Sequence, residues 1–186
     1  AASLQQQAGT GTTTLAGAID TDGAAGVSLT GTNLALNDSL TTTNAGTVTV
    51  AQSGTATIAA AGDINADGAV SLTATGGITT AGDITTTEDA ITLGSATTLS
   101  GDIVMSTGTG AGTITFSSTV DGTTAGAEDL TLTAGSGDIA FDGAVGGTTR
   151  LGAIDIVSAA DVDAKAISAA SLLQQAGTGT TTLAGA

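Results

Sequence analysis

The chain has no cysteine, histidine, proline, tryptophan or tyrosine, and its only aromatic residues are Phe116 and Phe141. Without cysteine there is neither a disulfide scaffold nor a thiolate metal site. Without histidine there is no imidazole ligand and no nucleophile paired with an imidazole base. Basic residues are almost missing: Arg150 and Lys165 stand against seventeen acids, for a net charge of −15. Nucleic acid and anionic membrane surfaces, which call for basic faces, are disfavoured as partners, and the expectation is no nucleic acid and no membrane insertion in this segment. Long apolar runs are also lacking, and nothing approaches the roughly 18 residues of a membrane span. No secretory signal is visible, as expected of an excerpt from within an array.

What is present is small and regular. Twenty-nine glycines accompany abundant Ala and Thr, yet 40% of residues are hydrophobic and the mean hydropathy is +0.37. That profile is too apolar for a disordered polar chain. It suits a thin core, one or two side chains wide.

The chain also repeats itself. Ala1–Ala18 returns as Ala169–Ala186 with one difference, Gln5 against Leu173, at an offset of 168 residues. Residues 1–168 therefore read as one tandem repeat and 169–186 as the start of the next, within a larger repetitive protein.

Self-similarity at long range directs attention to shorter periods. Apolar–polar–apolar triplets, the pattern of a strand with one buried face, recur about every 21 residues. One ladder runs through Leu4, Val27, Val48, Val70, Ile91, Ile114, Leu130, Ile154 and Leu172. A second runs through Leu15, Leu36, Ile58, Ile78, Leu99, Val120, Ile139, Val162 and Leu183. A third runs through Ile19, Leu40, Ile64, Ile84, Ile103, Ala125, Val145 and Ile167. A short step to Leu130 followed by a long one marks a phase error or bulge there, and Ala125 marks a loosely packed or bulged coil.

Three interleaved ladders with one period predict an all-β fold: a right-handed parallel β-helix with three short strands per coil. Handedness follows the general rule for parallel crossovers. Eight coils of about 21 residues would build a rod of roughly 38 Å per repeat at the inter-strand spacing. Glycine falls between the ladders, where tight bends require it, and Thr fills outward positions suited to β-branched residues. Asn44–Gly46, Glu88–Asp89, Glu128–Asp129 and Gly146–Arg150 read as corners.

Leu130–Ala159, with its GDIAFDGAVGGTT core, resembles repeats of giant bacterial surface proteins, the filamentous-haemagglutinin-like and related β-strand-repeat adhesins. Arg150 stands where such repeats often carry a small residue or proline. The resemblance implies a right-handed parallel β-helix, secretion to the cell surface, and a role in adhesion or in an extracellular filament.

Asp63, Asp83, Asp102 and Asp138 each follow Gly and precede Ile. If they share a corner they form a carboxylate column, a candidate calcium site or polysaccharide-cleaving cleft. The competing explanation is turn chemistry, in which Asp bonds nearby backbone. Recurrence along the rod favours the turn, because catalysis needs one special place. Thr47–Thr49, Thr55–Thr57 and Thr113–Thr115 suggest ice binding only locally, since such rows do not recur on one face in every coil. AGTGTTT lacks the Lys of a phosphate loop.

The expectation is a non-enzymatic structural repeat without cofactor or metal, whose partners are copies of itself. A surface adhesin binding glycans or other cells is the alternative. A polysaccharide-active enzyme or an ice-binding protein ranks lower.

Overall fold

The computed structural model describes residues 1–185; Ala186, the last residue of the echo, lies outside the described residues. Twenty-three strands and, among the described residues, no helix make up the chain. They form three sheets of nine, six and eight strands, here sheets A, B and C, which the chain visits in rotation. Neighbouring strands pair in parallel, as in Val27–Gly31 with Val48–Gln52 and Leu40–Thr42 with Ile64–Ala66. This is a parallel β-solenoid of about eight turns, with about 22 residues per turn.

The alternation read in the sequence produces this winding. In Ile91–Leu93 the two apolar ends are buried and the central Thr92 is not. Inward residues then lie over their counterparts, as Val27, Val48, Val70, Ile91 and Ile114 do in sheet A. The core is one contiguous column of Val, Ile and Leu side chains. Stacking like on like also pairs the two aromatics: the rings of Phe116 and Phe141 lie 5.0 Å apart and 4° from parallel. Buried threonines close corners from inside. The Thr80 hydroxyl donates to the Gly82 carbonyl at 2.9 Å, and Thr107 to that of Gly112 at 2.9 Å.

Corner glycine is obligatory at Gly26. Its φ of +55° is left-handed, and a Cβ there would meet the Thr47 carbonyl oxygen at 2.0 Å. The coils stack too closely for any side chain at that point.

The ladders need correcting in their second half. Ile139 and Val162 continue sheet A over Ile114, and Leu183 pairs with Ala164 in that sheet. Leu130, Ile154 and Leu172 belong to sheet C, above Ile103. Val145 and Ile167 lie in sheet B beyond Val120, as isolated bridges. Ala125 is no rung; it is an exposed turn residue. The cause is an excursion at Thr123–Asp129, which lengthens one coil so that Ile103 meets its partner only at Leu130. Counting at a fixed period therefore slips by one face. Smaller slips of two residues precede it: Ile78 lies over Ala56, leaving Thr80 over Ile58; Val120 pairs with Thr97, leaving Gly122 over Leu99; and Ile84 pairs with Met105.

The echo consequently changes faces. Leu4–Gln6 is in sheet A and Thr12–Leu15 in sheet B, whereas Ala169–Gln174 is in sheet C and Thr181–Leu183 in sheet A. Seven turns carry Leu4 to Val162, and two more faces, at Ile167 and Leu172, complete the 168 residues.

Candidate functional site

Two places concentrate polar side chains: the acidic corners and the excursion. Asp63, Asp83 and Asp102 precede strands of sheet C, but only Asp63 and Asp83 stack in register; Ile84 pairs with Met105, which sets Asp83 beside Val104 and leaves Asp102 out of the column, and Asp138 precedes a strand of sheet A on a different corner. Their oxygens are engaged by the next coil. Asp63 Oδ1 accepts from the Asp83 amide at 2.9 Å, and Asp83 Oδ1 from that of Val104 at 2.8 Å. Asp102 Oδ1 accepts from the Asp129 amide at 3.0 Å, and Asp138 Oδ1 from that of Asp161 at 3.0 Å.

Sequence reasoning missed two members. Asp129 Oδ1 accepts from the Ala153 amide at 2.6 Å, and Asp161 Oδ1 from that of Thr180 at 2.5 Å. Their signal was available: each stands directly before a strand's first apolar residue, as the others do, but without the preceding glycine. The turn reading thus holds in altered form. Each carboxylate ties its corner to the next coil and not to its own backbone. Among the described residues no three carboxylates converge as a metal site.

At the excursion, and at the loop Gly146–Arg150 beside it, sheet B loses its strands. Asp121 Oδ1 accepts from the amides of Thr148 and Thr149 at 2.7 and 3.0 Å, tying the sheet B corner to the loop Gly146–Arg150. The Gly126 amide donates to the Arg150 carbonyl at 2.8 Å. A Cβ on Gly126 would come within 2.8 Å of Arg150 Nη2, so the guanidinium lies across the excursion.

Beneath it Glu128 is 6% exposed. Its Oε1 accepts from the Thr123 hydroxyl and, at 3.0 Å, from the Thr124 amide. Burial pushes the Glu128 carboxyl up, but the hydrogen bonds from Thr123 and the loop amides outweigh it and hold the group below the usual glutamate range. An ionised carboxylate held by the Thr123 hydroxyl and the Thr124 amide anchors the loop.

The outer surface of sheet A carries an ordered hydroxyl row. Ser28, Thr49, Ser71, Thr92 and Thr115 lie over one another on five successive coils. Of the threonines singled out in the sequence, Thr49 and Thr115 belong to this row, while Thr57 lies in sheet B beside Thr79.

At the C-terminal end the core is open. Ile167, Ala169, Leu172 and Leu183 line a pocket with Lys165 at its edge. Comparison with protein-family models, curated proteins and solved structures returns no match.

Proposed function

We propose that this chain is a structural unit of an extracellular filament or rod-like cell-surface protein, extended by end-to-end stacking of coils. The observation that carries the reading is the stacking of like on like: Val27, Val48, Val70, Ile91 and Ile114 lie over one another on five successive coils of sheet A, a column that further coils of the same pattern continue. The resemblance of Leu130–Ala159 to bacterial surface-protein repeats supports placement outside a bacterial cell. The engagement of the corner carboxylates supports a mechanical and not a catalytic role, without cofactor or metal.

Electron microscopy of the concentrated protein, with fibre diffraction, tests this. Rods with an axial reflection at about 4.8 Å are expected. A protein that stays monomeric at every concentration argues against the reading.

The sheet A hydroxyl row favours adhesion as a second reading, since a flat array of Ser and Thr can bond a glycan. Glycan-array binding that is lost on replacing Thr92 and Thr115 by Val would move the assignment there.

A further inference from the structure

We propose that a notch on the outer face of sheet C binds a neutral sugar, one or two pyranose rings of a glycan lying along the rod. The inference depends neither on rod assembly nor on the sheet A row. It concerns a place inside the chain, with coils on either side.

The notch comes from corners of unequal length. The chain passes from sheet C to sheet A through residues 43–47, 67–69 and 87–90 on three successive coils. The middle corner is the shortest, so it lies back between its neighbours. The space left holds about 430 Å³, the size of a small-molecule site. Thr41, Asn65 and Thr85 stack in register across its floor. Asn44, Asp67 and Thr87 line its corner side.

The two flanking corners are bent against their own preferences. All three non-glycine residues with positive φ among the described residues stand there: Asn44 at +56°, Ala45 at +60° and Glu88 at +68°. Asparagine tolerates that region, but alanine and glutamate do not favour it. Other corners between the same sheets use glycine for such bends, as at Gly26 and Gly108. Backbone strain of this kind gathers where a ligand is held, and persists because the surroundings fix it. Here the Ala45 amide donates to Asp67 Oδ2 at 2.7 Å, and Asn44 Nδ2 to the Asp22 carbonyl at 2.6 Å. The Glu88 amide donates to the Thr107 carbonyl at 3.0 Å.

These ties set a group of polar atoms at the notch. Asn65 Oδ1 accepts from the Thr85 hydroxyl at 2.9 Å, which orients the amide and leaves Nδ2 to donate. Asp67 and Asn44 each keep Oδ1 as an acceptor, since their bonds to the backbone use the other atom. The Thr41 and Thr87 hydroxyls serve as donor or acceptor. Donors and acceptors side by side match the vicinal hydroxyls of a pyranose. Successive coils are about 4.8 Å apart, similar to the step of one ring in a polysaccharide, so neighbouring floor residues reach neighbouring rings.

Other ligand classes fit poorly. The net charge of −15, with Asp67 in the notch, repels phosphates, sulfates and uronates. A peptide that adds as a strand needs a sheet edge, and sheet C is paired on both sides here. Both phenylalanines are buried in the core, so no ring stacks on the sugar. Binding through a few hydrogen bonds gives a Kd on the order of 1 mM, helped by the preset geometry.

Saturation-transfer NMR on the full chain tests this, because it reads weak binding to monomers and rods alike. The neutral probes are maltotriose, mannotriose and galactotriose, with trigalacturonate as the charged counterpart. Saturation transfer to at least one neutral probe and none to trigalacturonate is expected. Asn65→Ala and Thr87→Val should each weaken binding about fivefold, the worth of one hydrogen bond. Both positions are exposed, so circular dichroism should be unchanged, and either variant serves if the other folds poorly. EDTA should leave the signal as it is. No transfer to any neutral probe overturns the site, as does equal transfer to trigalacturonate. Loss of signal in EDTA overturns it too, because a cation would then bridge the sugar. Binding that survives both substitutions but vanishes with Thr92→Val and Thr115→Val places the sugar on sheet A and overturns the notch. None of these outcomes bears on rod assembly, which electron microscopy decides separately.

Discussion

Sheets A and B are wound from the same residue types, yet A runs unbroken through nine strands and B stops as a sheet after six. The difference lies at their corners. Past Val120–Gly122 the chain devotes Thr123–Asp129 and Gly146–Arg150 to loops, and only the bridges at Val145 and Ile167 keep the B face in step. A and C continue across the gap. A solenoid therefore absorbs an insertion by surrendering pairing on one face, provided the other two hold the stack and the corner is fastened from beneath. Phe116 on Phe141 supplies the hold, and Glu128 the fastening.

The sharpest way to break this comparison is to remove the hold. Phe141→Ala should lower unfolding stability by about 3–5 kcal/mol, the cost of an aromatic cavity in a packed core, measured by urea denaturation. A loss below about 1 kcal/mol would mean that sheet A does not carry the irregular coil. Glu128→Ala should cost about 1–3 kcal/mol, because it strands the Thr123 and Thr124 donors in a buried corner. Proteolytic cleavage within Thr123–Asp129 should rise with it, while the regular coils stay protected.

The same carboxyl gives a pH signature. Its native pKa lies below the ordinary value, so its contribution is complete above the ordinary glutamate range. That contribution is lost as pH falls through the lowered native value. The stability difference between wild type and Glu128→Gln should shrink over that acidic window. A difference that is flat with pH would remove Glu128 as the fastening.

Asp83→Ala, on the regular corner, should cost only about 1 kcal/mol, the net worth of one hydrogen bond. EDTA should leave the melting temperature of wild type and variant unchanged; a chelation effect confined to wild type would restore calcium to this column. Smallest of all, Ala125→Ser should stay within about 0.5 kcal/mol, as at other exposed positions. A rung at that site would not tolerate a hydroxyl so cheaply.

The fold was legible because every coil repeats one instruction: apolar residues two apart, then a glycine-bearing bend. Val27 to Ile114 could be stacked on paper in the order the molecule uses. The ladders slipped by two residues at Ile78 and Ile84 and lost their face at Ala125. A ladder counted by spacing accepts any small apolar residue that falls on schedule, and spacing cannot see that Glu128 has turned inward to hold a loop. What settles a rung is the strand above it, and that information is non-local. The corner acids were half legible for a related reason. The Gly-Asp-Ile motif found Asp63 and Asp83, but the working requirement is a carboxylate before the strand, which Asp129 and Asp161 also meet.

The displaced echo governs what such a fibre shows to its surroundings. A unit that returns two-thirds of the way around its axis cannot present one fixed side when it follows itself. Any emblem on its flank, such as the Ser28–Thr115 row, would wind past like the stripe on a barber's pole, facing each of three directions before coming home at the fourth unit. A thread built this way has no back to turn toward a neighbour.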